Sequence, residues 1–137
     1  MGLVLDSSVL IIAEREAKPV SSLLAELQQG HGENEIVLSS VTVVELEHGL
    51  HRAQAAEQAQ RRRDYLDTVF AAIPVDSFSR EMAQVAAKVD AAARKTGKVI
   101  PFADLLIGAT ALHHGYAVGT RNLRHFQMVP NLTVLSL

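Results

Sequence analysis

Short apolar segments that stop abruptly at a polar residue constrain the fold of this chain more than any other feature of its sequence. There are five of them: residues 3–5, 36–38, 73–75, 116–118 and 132–135. Each is too short for a buried helix, and longer segments with helical character separate them. Short apolar strands that alternate with helices predict a parallel sheet covered on both faces. The predicted fold is a three-layer α/β/α sandwich with a short-stranded, mostly parallel central sheet.

Two of the intervening segments predict helices with distinct positions in that sandwich. Residues 102–114 are apolar almost all round and should form a central buried helix that Gly115 ends. Residues 39–72 predict a long helical stretch with a break near Gly49, because glycine is unfavourable inside a helix. The stretch that starts at residue 39 directly follows a predicted strand, so its first turns should lie at the carboxyl edge of the sheet.

The composition excludes several classes of protein. The 137 residues match one ordinary domain, so residues 1–137 are expected to fold as a single unit. The absence of Cys excludes disulfides, a thiol nucleophile and Cys-bound zinc, and favours a reducing compartment. A net charge of −2 argues against coating nucleic acid by bulk positive charge. No apolar segment approaches the roughly 20 residues of a membrane helix, so we expect a cytoplasmic protein outside the membrane.

Polar side chains follow three of the predicted strands. Asp6 comes directly after the first strand, and Glu45 lies in the first turns of the helix after the second. Asp104 opens the most apolar helix, and Asn122 follows the fourth strand. In an open parallel sheet the ligand crevice lies at the carboxyl ends of the strands. The sequence therefore predicts a polar site formed by these residues at one edge of the sheet.

Each acid also has a purely structural interpretation. Asp6 can cap the following helix, Glu45 completes a Thr42-x-x-Glu45 capping box, and Asp104 is favoured by the helix dipole. An acid in the most apolar segment is, however, costly to ionise without a positive partner. Carboxylates at one edge also repel each other unless a cation neutralises them. Hard oxygen donors without Cys favour Mg²⁺ or Mn²⁺, so a divalent-cation site is the preferred interpretation.

Four segments in a fixed order carry the most specific pattern in the sequence. They are residues 5–10 (LDSSVL), 39–49 (SSVTVVELEHG), 103–111 (ADLLIGATA) and 120–126 (TRNLRHF). Together they resemble the PIN-domain ribonucleases, and most closely the VapC-type toxins of bacterial toxin–antitoxin pairs. The resemblance implies a PIN-like fold and a Mg²⁺- or Mn²⁺-dependent endoribonuclease, in which a metal-activated water cleaves RNA in structured or single-stranded loops.

The resemblance also implies roles for individual residues. Asp6, Glu45 and Asp104 are expected to bind the metal, and Glu45 could instead orient the attacking water as a base. Thr120 is expected to position that water or a phosphate oxygen. Asn122 stands where many members of the family carry another Asp, which leaves one negative charge fewer. An amide oxygen can still bind Mg²⁺, directly or through water.

Basic residues near the acids are candidates for RNA contact. Arg121 and Arg124 flank Asn122, and Lys98 precedes Asp104. All three are expected to contact phosphates, with ordinary solvated turn residues as the alternative. The Arg run at 61–63 cannot face one way on a helix, so a solvated face is preferred over an RNA or partner contact.

Partners follow from the resemblance as well. It implies a cognate antitoxin that blocks the active site, an RNA substrate and a toxin homodimer. A set of apolar residues on the early helices can either form the antitoxin groove or belong to the core: Val20, Leu23, Leu24, Leu27 and Leu50.

Other functions fit the sequence less well. His48 and His51 have a spacing that can bind zinc, but no Cys or second His pair supports such a site. A phosphotransferase or phosphatase with an Asp nucleophile would need Asp-x-Asp at the first strand, where Ser8 stands instead. A receiver domain would need a phosphorylatable Asp after a middle strand, for which Asp76 is a poor substitute. The main alternative is a PIN-fold module, catalytically weak because of Asn122, that acts by binding RNA or a partner.

Overall fold

Five short strands form one sheet and all run in the same direction. In the computed structural model, which describes residues 2–32 and 35–137, they are β1 (Leu3–Leu5), β2 (Ile36–Ser39), β3 (Val75–Asp76), β4 (Ala117–Thr120) and β5 (Val134–Ser136). Their order across the sheet is β3-β2-β1-β4-β5, and every neighbouring pair is parallel. Because β1 lies between β2 and β4, residues that follow these three strands meet at one edge of the sheet.

Helices cover both faces of this sheet. In the described part of the chain they are α1 (Ser7–Arg15), α2 (Val20–His31), α3 (Ser40–His51), α4 (Ala56–Ala72), α5 (Arg80–Lys95), α6 (Phe102–His114) and α7 (Leu123–Phe126). Leu3 and Leu5 of β1 pack on one face against α1, α2, α3 and α4, whereas Val4 packs on the other face against α6. This alternation of side chains along β1 produces the predicted three-layer sandwich. None of the described helices is long and apolar enough to cross a membrane.

The ends of the helices agree with the sequence in one region and differ in another. α6 begins at Phe102 and ends at His114, and Gly115 adopts the left-handed conformation that stops it. The stretch 39–72 is divided into α3 and α4, but the break follows His51 and does not fall at Gly49. Gly49 lies inside α3 because the Arg62 guanidinium occupies the space next to it, where a Cβ would lie 2.6 Å from Nη1. The predicted break near Gly49 is therefore confirmed, although it follows this residue and does not fall on it.

The apolar residues considered for an antitoxin groove belong mostly to the core. Val20, Leu23 and Leu27 are buried beneath α2. Leu24 and Leu50 are half-buried and pack against the same core cluster. The core interpretation therefore fits this set, although Leu23 and Leu27 also line a cavity of about 190 Å³.

Candidate active site

The side chain of Asp6 is held in place by hydroxyl groups at the carboxyl end of β1. Asp6 occupies the N-cap position of α1, yet its carboxylate makes no capping hydrogen bond. Its Oδ2 atom accepts hydrogen bonds from Ser8 Oγ at 2.7 Å and from Thr120 Oγ1 at 2.9 Å. The residue is only 6% exposed. The capping interpretation is therefore wrong for the side chain, which is oriented across the sheet edge toward β4.

Thr120, the last residue of β4, is fully buried and connects the ends of two strands. Besides donating to Asp6, its hydroxyl accepts a 2.9 Å hydrogen bond from the backbone N–H of Asn122. The adjacent backbone N–H of Arg121 donates to Ser8 Oγ at 3.1 Å. The hydroxyl of Thr120 therefore supports Asp6 and the turn after β4.

Glu45 reaches the same edge from α3. Its Oε1 accepts a 3.2 Å hydrogen bond from Ser7 Oγ. Burial raises the pKa of Glu45, and the nearby charges of Asp6 and Asp104 raise it further, while the Ser7 hydrogen bond opposes the rise. Asp6 and Asp104 therefore lie near enough for their negative charges to add to the effect of burial on the pKa of Glu45.

The capping-box interpretation of Glu45 is also wrong. The N-cap of α3 is Ser39, whose Oγ accepts a 3.1 Å hydrogen bond from the Val41 backbone N–H. Thr42 lies one turn further on, and its hydroxyl is buried without a hydrogen-bond partner among the described residues. Glu45 is therefore free of any role at the start of the helix.

Asp104 lies in the first turn of α6, and its Oδ2 is 2.8 Å from His125 Nδ1 of α7. Burial raises the pKa of Asp104; the hydrogen bond from His125 lowers it, and the charge of Asp6 raises it again. The sequence did not indicate this role for His125. Nor did it indicate the roles of Ser7 and Ser8, although these hydroxyls directly follow Asp6 in the sequence.

The donor set at this edge suits a hard divalent cation. Asp6, Glu45 and Asp104 offer carboxylate oxygens whose mutual repulsion a cation would relieve. Across residues 2–32 and 35–137, no three His, Asp or Glu side chains are gathered closely enough to hold one ion between them as they stand. Mg²⁺ usually binds one or two carboxylates and keeps several waters. The residues therefore fit a partly hydrated Mg²⁺ or Mn²⁺ better than a fully enclosed ion.

The remaining predicted site residues lie at the surface, and three of them follow β4. Asn122 is exposed at the start of α7, and Arg121, Arg124 and Lys98 are exposed as well. Arg121 lines a cavity of about 190 Å³ on the α1 and α2 side, together with Lys18. The structure brings Asp6, Glu45, Asp104 and Thr120 together and leaves the basic residues dispersed around them.

The arginine run of α4 is divided between different contacts. Arg62 forms a 2.7 Å ion pair with Glu14, and Arg63 binds both carboxylate oxygens of Glu47 at 2.9 Å. Arg61 is exposed and lines a cavity beside α3. Two members of the run therefore have structural partners.

Comparisons with known proteins agree with this geometry. A PIN-domain family model matches residues 3–131. The chain is 35% identical over 133 residues to the VapC ribonuclease Y4jK of Sinorhizobium fredii, covering 91% of this chain and 90% of that protein. It is 28% identical over 137 residues to Ribonuclease VapC of Rickettsia bellii, covering 100% of this chain and 97% of that protein. A crystal structure of VapBC2 from Rickettsia felis, bound to a promoter DNA fragment, matches with a TM-score of 0.85 and 24% identity over 100% of this chain and 99% of that chain.

Proposed function

The chain belongs to the PIN-domain family, and we propose that it is an endoribonuclease that acts as the toxin of a toxin–antitoxin pair. Relatives from Sinorhizobium and Rickettsia that align over almost the whole chain are named VapC ribonucleases. The observation that carries the proposal is that Asp6, Glu45 and Asp104 lie at the carboxyl edge of the sheet, where Ser8, Thr120, Ser7 and His125 hold their carboxylates. One buried and two half-buried carboxylates near one another are costly to keep ionised, which is typical of a functional site.

We further propose that Mg²⁺ or Mn²⁺ is the cofactor. Asp6 and Asp104 would be its principal ligands, with Glu45 and the amide oxygen of Asn122 as further donors. The hard oxygen chemistry of these groups and the absence of Cys support this choice. When bound, such a cation supplies an acidified water and neutralises charge that develops on the phosphate.

Different residues of the chain have different roles in the proposed phosphodiester hydrolysis. Ser8 and Thr120 fix the carboxylate of Asp6, and His125 fixes that of Asp104. Glu45 Oε1 accepts the 3.2 Å bond from Ser7, and no other described residue donates to this side chain, so its second oxygen can take a proton from the attacking water. Its raised pKa makes Glu45 a stronger base than an ordinary carboxylate. The water oxygen bonds to phosphorus while the bond to the leaving RNA oxygen breaks.

The proposed substrate is RNA in structured or single-stranded loops. Unpaired bases can be splayed out and read, whereas the major-groove base edges of an A-form duplex lie in a groove too deep and narrow for side chains. Arg121, Arg124 and Lys98 are exposed around the acidic edge and supply positive charge for phosphates. This substrate class therefore agrees with a site that lies open at the rim of the sheet.

Two protein partners belong to the proposal. The solved structure of VapBC2 from Rickettsia felis is a complex, which supports a cognate antitoxin for this chain.

A second copy of the chain would cover Val44, Val99 and Phe102, which are 68%, 62% and 74% exposed. Val44 lies on α3 and Phe102 on α6, and these helices pack against each other. Large exposed apolar side chains on adjoining helices support a homodimer contact on this face.

Mapping RNA ends in cells tests the proposed function. The chain is induced in a bacterial host without an antitoxin gene, and RNA 5′ ends are sequenced before and after induction. We expect new 5′ ends at a small set of loop positions, and no such ends with Asp6→Asn. Identical end patterns for the wild type and Asp6→Asn would contradict the proposal.

A further inference from the structure

A groove leads away from Glu45 between α1, α3 and α4. It consists of two adjoining cavities of about 370 Å³ and 320 Å³, and Glu45 lines the larger one. The two cavities share four lining residues, which makes them one continuous groove: Gly49, Ala53, Gln58 and Arg62. A cavity of this size can accommodate a small organic group such as a nucleotide.

Three exposed arginines line this groove. Arg15, the last residue of α1, and Arg52, which follows α3, border the cavity that contains Glu45, and both are exposed. Arg61 borders the adjoining cavity and is exposed as well. In the part of the chain that the structure describes, none of these three guanidinium groups forms an ion pair with a carboxylate. Among the described residues, the groove therefore carries more positive charge than the carboxylate of Glu45 offsets.

The floor of the groove is fixed by structural contacts. Arg62 forms its ion pair with Glu14 at 2.7 Å and thereby connects α4 to α1. The same guanidinium lies against Gly49 of α3, where any side chain would collide with it. Because a glycine inside a helix lowers stability, its presence here is explained by this close approach. Arg62 thus has a structural role, so Arg15 and Arg52 are the arginines that can interact with a ligand.

We propose that this groove binds the RNA backbone next to the scissile phosphate, with Arg15 and Arg52 as the phosphate contacts. The inference rests on the proposed ribonuclease function and adds the path that the substrate takes. Guanidinium groups bind phosphate oxygens through paired, charge-assisted hydrogen bonds. A polyanion matches the excess positive charge, and the groove begins at the carboxylate proposed to activate water. Arg121 borders a different cavity, so this path is separate from the residues around Asn122.

A double substitution with a matched control tests the inference. Arg15→Gln/Arg52→Gln removes two positive charges from the groove. Arg80→Gln/Lys88→Gln removes two from exposed positions on α5, where neither residue lines the groove. The substrate is an RNA hairpin that carries a cleavage site mapped by the 5′-end sequencing, and thermal unfolding confirms that both variants fold.

We expect the groove variant to raise KM roughly 10-fold or more while kcat changes little, because charged hydrogen bonds to the backbone are lost. The slope of log affinity against log salt should also fall by about 1.4, as expected for two lost phosphate contacts on a single strand. The control variant should keep the wild-type KM and differ only slightly in salt dependence.

Three outcomes would overturn the inference. Equal KM values for the groove and control variants would show that Arg15 and Arg52 do not contact RNA. If the groove variant bound a glutamate-rich peptide more weakly than the wild type but kept the wild-type KM for RNA, the groove would be a protein-docking surface. A wild type that cleaves no RNA would refute the proposed function, and this inference with it, whereas the first two outcomes leave that function intact.

Discussion

The hydroxyl of Thr120 donates a 2.9 Å hydrogen bond to Asp6 Oδ2 and joins the carboxyl ends of β4 and β1. Ser8 donates a second hydrogen bond to the same oxygen at 2.7 Å. Two donors from different segments fix the orientation of one buried carboxylate. The geometry of the proposed metal site therefore depends on a residue that is itself fully buried.

Replacing Thr120 with valine should impair cleavage without removing any acid. Thr120→Val keeps the side-chain shape but removes the donor to Asp6 and the acceptor for the Asn122 backbone N–H. Loss of a group that orients a metal ligand typically lowers activity roughly 10- to 100-fold. RNA cleavage rates measure the effect, and Thr120→Ser, which retains the hydroxyl, should remain within a few-fold of wild type. Full activity of Thr120→Val would contradict the positioning role.

Neutralising Glu45 should stabilise the metal-free protein while it abolishes cleavage. Glu45→Gln removes a charge that burial and the neighbouring acids disfavour, and its amide oxygen can still accept the Ser7 hydrogen bond. We expect the Tm in EDTA to rise by about 2–4 °C, measured by calorimetry. Glu47→Gln serves as the control, because Glu47 is paired with Arg63 and its loss should not raise the Tm. A lower Tm for Glu45→Gln would argue against repulsion among the acids.

Cation affinity and metal-free stability should respond to pH in opposite directions. The pKa values of Glu45 and Asp104 are raised above 4.5 and 3.8, so the folded state binds protons more tightly than the unfolded state. As the pH falls through the raised pKa values, the contribution of these groups to metal-free stability increases. Cation binding needs the ionised carboxylates, so Mn²⁺ affinity should fall over the same range. Calorimetric titrations test this, and an affinity that stays constant down to pH 4.5 would contradict it.

The amide of Asn122 should give the site a lower affinity for the cation than a carboxylate would, but the site should remain active. Asn122→Asp adds a negative charge at the exposed start of α7 and should strengthen Mn²⁺ binding by roughly 10-fold. We expect the wild type to cleave RNA already. A wild type that is inactive and becomes active only as Asn122→Asp would favour a catalytically weak binding module instead.

The sequence was sufficient to locate the acids, because each follows a strand or opens a helix. Asp6 and Glu45 follow two neighbouring parallel strands, and the rule that their carboxyl ends share one edge places them together. The apolar character of residues 102–114 likewise predicted α6 with its observed ends.

The supporting contacts could not be predicted, because they join segments far apart in the chain. His125 lies beside Asp104 across 21 positions, and Thr120 contacts Asp6 across 114. The sequence predicts a helix break near Gly49 but does not show that Arg62 packs against this glycine, which stays inside α3. Sequence propensity predicts the backbone conformation at such positions. The role of each side chain depends on residues that are distant in the sequence and close in the structure.

Cleavage of RNA by the purified chain, free of any antitoxin, tests the central claim most directly. Asp6, Glu45 and Asp104 are proposed to hold the divalent cation that activates water. The wild type should cleave loop-containing RNA in Mg²⁺ or Mn²⁺, EDTA should stop the reaction, and Asp6→Ala should lower the rate at least about 100-fold. A wild type that cleaves no RNA with either cation, and so behaves like Asp6→Ala, would contradict the account.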